Sequence, residues 1–229
     1  MYMKNKLHLW SFKNFENQFD KHILNSIPSY EECWWYSINL SKSFISNKTV
    51  IYDLGCSTGK KTNLIYKNLK DIKSLEIIGV DVEKSMINYA NEKYSNKQTK
   101  FKKINLNNLN FKKTNIFFCM FTFNFINREA RFKILKKMYK SLKEGGAVFY
   151  ADKVIDENSS VEVLLNQIHS LWKQKSFSAS QILQKQEQIR GIMQPLQENE
   201  LSELFKKAGF KKNLILKNLN FNFYLLTRT

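Results

Sequence analysis

The chain has 229 residues, a length that fits one large domain or a domain with a lid. Hydrophobic residues make up 43% and charged residues 25% of the sequence, which excludes a disordered or collagen-like chain. Because no apolar run of about 18 residues occurs and the first residues lack a signal-peptide pattern, we expect neither a membrane span nor secretion. Three widely spaced cysteines predict reduced thiols and a cytoplasmic protein.

The formal net charge of +17 raises the question of a nucleic-acid partner. The excess consists of 33 Lys beside only 4 Arg. Arg is the residue preferred for bidentate phosphate contacts, so the charge only weakly favours nucleic-acid binding. Lys60 and Lys61 have no phosphate-binding Walker pattern around them and are predicted to be solvated residues at the start of a helix.

Strands and helices are predicted to alternate through most of the chain. Residues 1–47 are aromatic-rich and are predicted to form a helical extension. The predicted strands after it are 49–55, 75–82, 99–106, 115–126 and 147–154, and the predicted helices are 60–70, 84–95 and 128–143. Such alternation predicts parallel βαβ units and therefore an α/β fold with a Rossmann-like, mostly parallel sheet.

The last third of the chain departs from this alternation. Residues 157–193 contain an amphipathic helix followed by a Gln-rich stretch, and we interpret them as a helical lid. A helix over 196–208 precedes two adjacent strands, 214–219 and 221–227, which predict an antiparallel hairpin at the sheet edge. We therefore expect a single domain over 1–229, whose ligand-binding core is formed by residues 48–156 and 194–229.

A glycine-lined turn follows the first predicted strand, with the sequence D-L-G-C-S-T-G over residues 53–59. Such a turn, leading into a helix, lets a ligand approach the backbone closely. The second predicted strand ends at Asp81, about 22 residues after Gly59, where a carboxylate can accept hydrogen bonds from both hydroxyls of a ribose. The two features together predict a nucleoside-binding site.

The residue types around this turn favour S-adenosylmethionine (SAM) over a dinucleotide. A dinucleotide site has the pattern G-x-G-x-x-G, whereas the turn here is D-x-G-x-x-x-G and begins with Asp53. A carboxylate at that point repels a pyrophosphate but suits a ligand that has an ammonium group and no phosphate. SAM combines an α-amino group, a sulfonium and an adenosine ribose.

Residues 48–155 resemble the class I SAM-dependent methyltransferases, whose first motif is commonly D-L-G-C-G-T-G. The resemblance implies that Asp81 holds the ribose, that Val82 and Met86 flank the adenine, and that the methionine part lies on Met120 and Phe121. The predicted cofactor-binding residues are Tyr30, Asp53, Gly55, Ser57, Gly59, Asp81, Val82, Met86, Asn105, Leu106, Met120 and Phe121.

Nearly the whole chain resembles a narrower family, the carboxy-S-adenosylmethionine synthases, which make a carboxylated SAM for tRNA wobble-uridine modification. The family's D-L-G-C-S-x-G loop matches residues 53–59, and its V-P-x-Y element matches residues 27–30. Its M-H-x-x-F-K helix matches residues 168–173 in part, its Q-K pair matches 184–185, and its K-A-G-F stretch matches 207–210.

Two positions depart from this family pattern. The family has an Arg directly after its Q-K pair to bind the extra carboxylate, and Gln186 stands there, with Arg190 one helical turn further as a candidate substitute. Met120 stands where the family has Asn. We therefore predict methyl transfer from SAM to a small-molecule acceptor, with carboxy-SAM synthesis as the alternative. A tRNA-directed or non-catalytic SAM-binding module is a further alternative.

Methyl transfer from a sulfonium is an in-line displacement, in which the cofactor supplies the chemistry and the protein supplies orientation. Three residues are candidate general bases, His22, His169 and Asp152. His169 and Asp152 are the predicted catalytic residues, and each also fits a purely structural role. The candidate substrate-binding residues are Trp34, Trp35, Gln186 and Arg190, with core packing as the alternative for the two tryptophans. We predict a homodimer and no metal site.

Overall fold

The computed structural model describes residues 16–228. One eight-stranded sheet forms its centre, with the strand order β3-β2-β1-β4-β5-β8-β7 and a short β6 that pairs with β5. The strands are β1 (Lys48–Leu54), β2 (Ser74–Asp81), β3 (Thr99–Lys103), β4 (Thr114–Met120), β5 (Leu142–Ile155), β6 (Leu196–Gln197), β7 (Phe210–Asn218) and β8 (Phe221–Arg228).

Eight α-helices surround the sheet in the described part of the chain. They are α1 (Glu16–Leu24), α2 (Tyr30–Ser41), α3 (Lys60–Leu69), α4 (Lys84–Tyr94), α5 (Arg128–Ser141), α6 (Ser159–Lys173), α7 (Ala179–Ile189) and α8 (Glu198–Ala208). The predicted N-terminal helices are therefore present from Glu16 onward, and the first 15 residues of the predicted extension lie outside the described residues. No helix between residues 16 and 228 is long and apolar enough to cross a membrane.

Strands β1 to β5 pair in parallel, whereas β8 runs antiparallel to both β5 and β7. The predicted Rossmann-like sheet with an antiparallel C-terminal hairpin is thus confirmed. Strand order reverses between β1 and β4, because β2 and β3 continue to one side of β1 while β5 continues to the other. In open α/β sheets this switch point opens a crevice at the carboxyl ends of the strands, and ligands bind there.

Apolar side chains pack on both faces of the sheet. One cluster joins the sheet to α5 and α8, through residues such as Met138 and Phe205. The other joins it to α2 and α3, through residues such as Trp34 and Ile65. All three cysteines are buried free thiols, as predicted.

Two predicted strands have different bounds in the structure. The strand predicted over 115–126 ends at Met120, because the backbone turns at Phe121 (φ 61°) and then forms a short 3-10 helix over Phe123–Phe125. The strand predicted over 147–154 begins earlier, at Leu142. Gly145 and Gly146 lie inside this strand, where its register against β4 shifts.

Candidate functional site

The glycine-lined turn between β1 and α3 contains three residues in the left-handed region: Gly55 (φ 78°), Ser57 (φ 50°) and Gly59 (φ 75°). A Cβ atom on Gly55 would lie 2.4 Å from Oγ1 of Thr122, so the turn and the end of β4 approach each other too closely for a side chain. The left-handed backbone and the close approach to Thr122 therefore explain why a glycine stands at position 55.

Asp81 lies at the end of β2 and binds this turn directly. Its Oδ2 accepts a hydrogen bond from the backbone N–H of Ser57 at 2.9 Å, and its Oδ1 accepts one from the N–H of Glu83 at 3.0 Å. The hydroxyl of Ser57 donates to Sδ of Met86 on α4, at 3.6 Å. These hydrogen bonds join the glycine-lined turn to Asp81 and Met86, which belong to the second predicted ligand-binding stretch.

Asp53, at the end of β1, is almost fully buried below the turn. Its Oδ2 accepts a hydrogen bond from the hydroxyl of Thr62 at 2.5 Å, and burial raises the pKa of the carboxyl to about 7. An ammonium group placed beside it would favour the ionised carboxylate and lower that pKa. The carboxyl of Asp53 therefore fits the α-ammonium group of SAM.

One open cavity of about 1690 Å³ lies over this edge of the sheet. Most of the predicted cofactor and substrate residues line it: Tyr30, Trp34, Asp53, Gly55, Ser57, Asp81, Val82, Met86, Asn105, Leu106, Met120, Phe121, His169 and Gln186. Residues from α1, α2, α6 and α7 close its sides. The cavity is large enough for SAM and a second small molecule.

Four predicted residues lie outside the lining of this cavity. Gly59 supports the turn from behind, where a Cβ atom would lie 2.7 Å from Cβ of Ala90. Trp35 is 62% exposed and packs against Tyr36. Trp35 therefore does not lie at the site. The adjacent Trp34 lines the cavity and also stacks on the ring of Phe118.

Asp152 and Arg190 are the other two residues outside the cavity lining. Asp152 is 2% exposed, and its Oδ2 accepts a hydrogen bond from the hydroxyl of Tyr150 at 2.7 Å. Burial raises the pKa of Asp152 to about 7. Arg190 ends α7 and forms an exposed ion pair with Glu187. Neither group reaches a ligand in this arrangement.

His169 projects from α6 into the cavity wall. Its Nε2 lies 2.9 Å from the backbone oxygen of Ser26, and its ring packs edge-on against Phe221. Burial lowers the pKa of His169 to about 4, so the imidazole is neutral at pH 7. Because a carbonyl oxygen only accepts, Nε2 carries the hydrogen and Nδ1 is the basic atom.

Lys61 was predicted to be solvated, and that prediction is wrong. Its side chain is only 12% exposed, donates to Oε2 of Glu31 at 2.6 Å and lies 5.1 Å from the ring centre of Tyr30. The lysine therefore joins α3 to α2 at the cavity wall. A single sequence does not show that α2 supplies an acid and an aromatic ring at this point.

Three further lysines that line the cavity were not among the predicted site residues. They are Lys153 at the end of β5, Lys173 on α6 and Lys185 on α7. Burial lowers the pKa of each one, that of Lys185 to about 8, and the charge of Lys153 further lowers the pKa of Lys173. The sequence signal for Lys185 was the Q-K match at residues 184–185, and the signal for Lys173 was the partial M-H-x-x-F-K match at residues 168–173.

Most of the charged groups of the cavity fall into an acidic half and a basic half, whereas Lys21 on α1 and Lys61 on α3 also line the cavity and belong to neither. Acidic side chains come from α1 and from the ends of β1 and β2: Asp20, Asp53 and Asp81. Basic side chains come from β5, α6 and α7. His22 on α1 is neutral at pH 7, because burial and the charges of Lys185 and Lys173 lower its pKa to about 4. A ligand with a cationic end and an anionic end therefore has a matching surface for each.

Two comparisons define the class of protein. Residues 51–146 match a family model described as "Methyltransferase domain". The TehB-like SAM-dependent methyltransferase from Corynebacterium glutamicum shares the fold, with a TM-score of 0.59 and 12% identity over 94% of this chain and 97% of that chain. Together with the strand order and the glycine-lined turn, these findings define a class I methyltransferase fold.

Relatives that match almost the full length of the chain define the family. The carboxy-S-adenosyl-L-methionine synthase of Nautilia profundicola is 31% identical over 197 residues, which cover 85% of this chain and 83% of the relative. The protein of that name in Campylobacter hominis is 30% identical and covers 93% of this chain and 92% of the relative. The chain belongs to the carboxy-S-adenosyl-L-methionine synthase family, and it is a SAM-dependent transferase.

Proposed function

We propose that this enzyme converts SAM into carboxy-SAM, using a small anionic second substrate that binds in the same cavity and donates a carboxyl group. The C–C bond that holds this carboxyl group breaks, a C–C bond to the methyl carbon of SAM forms, and the proton lost from the methyl group passes to the remainder of the second substrate. The observation that supports it is the division of the cavity into an acidic half at Asp53 and Asp81 and a basic half at the three lysines. Carboxy-SAM carries a cationic amino group at one end and, on the carbon attached to sulfur, a carboxylate. The two halves match the two charges.

Each half has a separate task in this proposal. Asp81 and Ser57 hold the ribose side of SAM, and Asp53 holds its ammonium group, so that the sulfonium is oriented toward the basic half. Lys173 and Lys185 bind the carboxylate, in place of the Arg that the family has where this chain has Gln186. A buried lysine whose pKa is lowered regains full charge when an anion binds beside it, so binding and protonation favour each other.

Gln186 supports a second candidate function, methyl transfer from SAM to an anionic small-molecule acceptor. Its amide is neutral and lines the cavity beside Lys185. An amide cannot supply the bidentate charged contact that an Arg makes with a carboxylate. In that case the lysines would bind the acceptor, and S-adenosylhomocysteine would be the product.

Transfer RNA provides a direct test. In a bacterial strain that lacks its own carboxy-SAM synthase, this enzyme should restore the carboxy-SAM-dependent modification of wobble uridine, measured by mass spectrometry of tRNA nucleosides. Ligand released from the purified protein should be carboxy-SAM, heavier than SAM by one CO2 unit. Release of only SAM or S-adenosylhomocysteine, without restored modification, would exclude carboxy-SAM synthesis and leave methyl transfer.

We also propose that the enzyme works in the cytoplasm. Its three cysteines are free and buried, which favours a reducing compartment over an oxidising one. Fractionation of the native host, with a cytoplasmic and a periplasmic marker enzyme, would test this location.

A further inference from the structure

Helix α1 lies beside the cavity and not on the core. None of its nine residues is buried, and residues 17–23 line the cavity. A helix of this length is marginal on its own, because most helical stability in proteins comes from an apolar face packed on the core. The position of α1 therefore depends on the contacts that its side chains make with neighbouring elements at the surface.

The C-terminal end of α1 is joined to the helical lid. Just beyond the helix, Oδ1 of Asn25 accepts a hydrogen bond from the hydroxyl of Ser176 at 3.1 Å. The backbone oxygen of Ser26 accepts one from Nε2 of His169 at 2.9 Å. These two hydrogen bonds anchor this end of α1 to α6 and to the segment that follows α6.

Asp20, in the middle of α1, contacts the glycine-lined turn. Its Oδ1 accepts a hydrogen bond from the hydroxyl of Thr58 at 3.0 Å. Its Oδ2 also lies 3.9 Å from Nζ of Lys60, but both of these side chains are partly exposed, and such a pair is screened by solvent. Thr58 is only 2% exposed, so its hydrogen bond is better protected, and hydrogen bonds to a charged group are the stronger kind.

Thr58 belongs to the turn that shapes the SAM site. It follows Ser57, whose backbone N–H donates to the carboxylate of Asp81. The turn is therefore held by Asp81 at the end of β2 and by Asp20 on α1. Because residues 17–23 line the cavity, a movement of α1 away from Thr58 would widen the cavity directly beside the turn.

We propose that Asp20 and Thr58 form a latch that holds α1 against the glycine-lined turn, and that opening of this latch sets the rates at which SAM enters and leaves the cavity. Both are positioning residues, since they act through α1. Because both partners belong to the chain, the hydrogen bond closes this wall before and after SAM binds. Its loss should therefore raise the association and dissociation rates by similar factors and leave the dissociation constant nearly unchanged. This inference is independent of the reaction that follows SAM binding.

The variant Thr58→Val tests the latch, because it removes the hydroxyl and changes no charge. We expect both rate constants for SAM to rise about tenfold, since a hydrogen bond to a charged group contributes at least that factor, while the dissociation constant changes by less than about twofold. Thr58→Ser is the matched control, because it keeps the hydroxyl and should keep the natural rates. Stopped-flow tryptophan fluorescence can follow both rates, since Trp34 lines the cavity.

Asp20 provides a second pair of variants, which decides the question even where Thr58→Val does not fold. Asp20→Asn and Asp20→Ala remove the same charge, but only the amide oxygen of Asn can still accept the hydrogen bond from Thr58. Asp20→Ala should take up and release SAM about tenfold faster than Asp20→Asn, with similar dissociation constants for the two variants.

Three results would overturn the proposal. The first is a Thr58→Val variant with the natural rates. The second is a raised dissociation rate with an unchanged association rate, which would show that Thr58 stabilises bound SAM directly. The third is equal rates in Asp20→Asn and Asp20→Ala, which would show that the hydrogen bond does not hold α1 in place.

Discussion

The carboxylate of Asp81 accepts a hydrogen bond from the backbone N–H of Ser57 at 2.9 Å, so the end of β2 holds the glycine-lined turn that follows β1. The sequence separates the two residues by a whole βα unit. The contact explains how a Ser keeps a left-handed backbone at a position where the wider superfamily commonly has Gly, because the bound N–H fixes the turn. Asp81 therefore shapes the site in which we propose that it also binds the ribose of SAM.

Replacing Asp81 by Ala removes the hydrogen bond to the turn and the proposed contact to the ribose. We expect the affinity for SAM to fall by about ten- to a hundredfold, since hydrogen bonds to a charged group contribute about 1.5–3 kcal/mol. Titration calorimetry with SAM measures the change. Asp156→Ala is the matched control, because that carboxylate lies outside the cavity and should leave the affinity unchanged. Unchanged affinity in Asp81→Ala would contradict the ribose assignment.

Two glycines with similar backbone angles should respond differently to substitution. Gly55 (φ 78°) would place a Cβ atom 2.4 Å from Thr122, whereas nothing lies within 4 Å of a Cβ atom on Gly191 (φ 74°). Gly191→Ala should cost about 1–2 kcal/mol of unfolding free energy, the penalty for a left-handed residue. Gly55→Ala should cost more, because Thr122 must also move. Urea denaturation compares the two variants, and equal losses would show that close approach does not matter at Gly55.

The basic half of the cavity should discriminate between carboxy-SAM and SAM. Lys185→Met removes a positive charge that is poorly solvated, and we expect it to weaken carboxy-SAM binding by about tenfold or more while changing SAM binding little. Gln186→Arg should strengthen carboxy-SAM binding, because it restores the group that the family has there. Competition calorimetry with both ligands measures the ratio. Equal effects on the two ligands would show that Lys185 does not bind the carboxylate.

The sequence predicted the alternating part of the fold and most of the residues that line the cavity beside the glycine-lined turn, because both depend on local patterns. The glycine-lined turn and Asp81 each follow a strand, and parallel strands bring their carboxyl ends to the same edge. Element bounds were less exact where the backbone is unusual. The early end of β4 depends on Phe121 and its left-handed backbone, which no periodicity indicates.

The lysine half of the cavity could not be predicted in the same way. Lys153, Lys173 and Lys185 come from three elements, and only the packing of α6 and α7 over the sheet edge brings them to one cavity. In a chain with 33 Lys, motif matches mark Lys173 and Lys185 but nothing local marks Lys153, and no local pattern shows that the three lysines line one cavity. Helix α6 illustrates the same limit, because its apolar residues Leu164, Ile168 and Leu171 are exposed. Helical periodicity shows that a helix has an apolar face but not the direction in which that face points.

The protonation state of Asp152 gives a prediction about stability and pH. Asp152 on β5 lies opposite Asn222 on β8, and Oδ1 of each side chain has no hydrogen-bond partner within residues 16–228. Burial raises the pKa of Asp152 in the folded state from 3.8 to about 7. Between these two pH values the folded chain holds a proton on Asp152 that the unfolded chain has lost. The contribution of this carboxyl to the free energy of unfolding therefore falls as pH rises through this range, and above about pH 7 the loss is constant.

Asp152→Asn removes this penalty, because an amide keeps an acceptor for the hydroxyl of Tyr150 and never ionises. We expect the variant to gain about 1–3 kcal/mol over the natural chain at pH 8, and much less at pH 4. Urea denaturation at several pH values measures the difference. The pKa of Asp53 is also raised. Because the natural chain and the variant both contain Asp53, its effect on the free energy of unfolding cancels when the two are compared. A difference that is independent of pH would show that Asp152 does not titrate between these values in the folded chain.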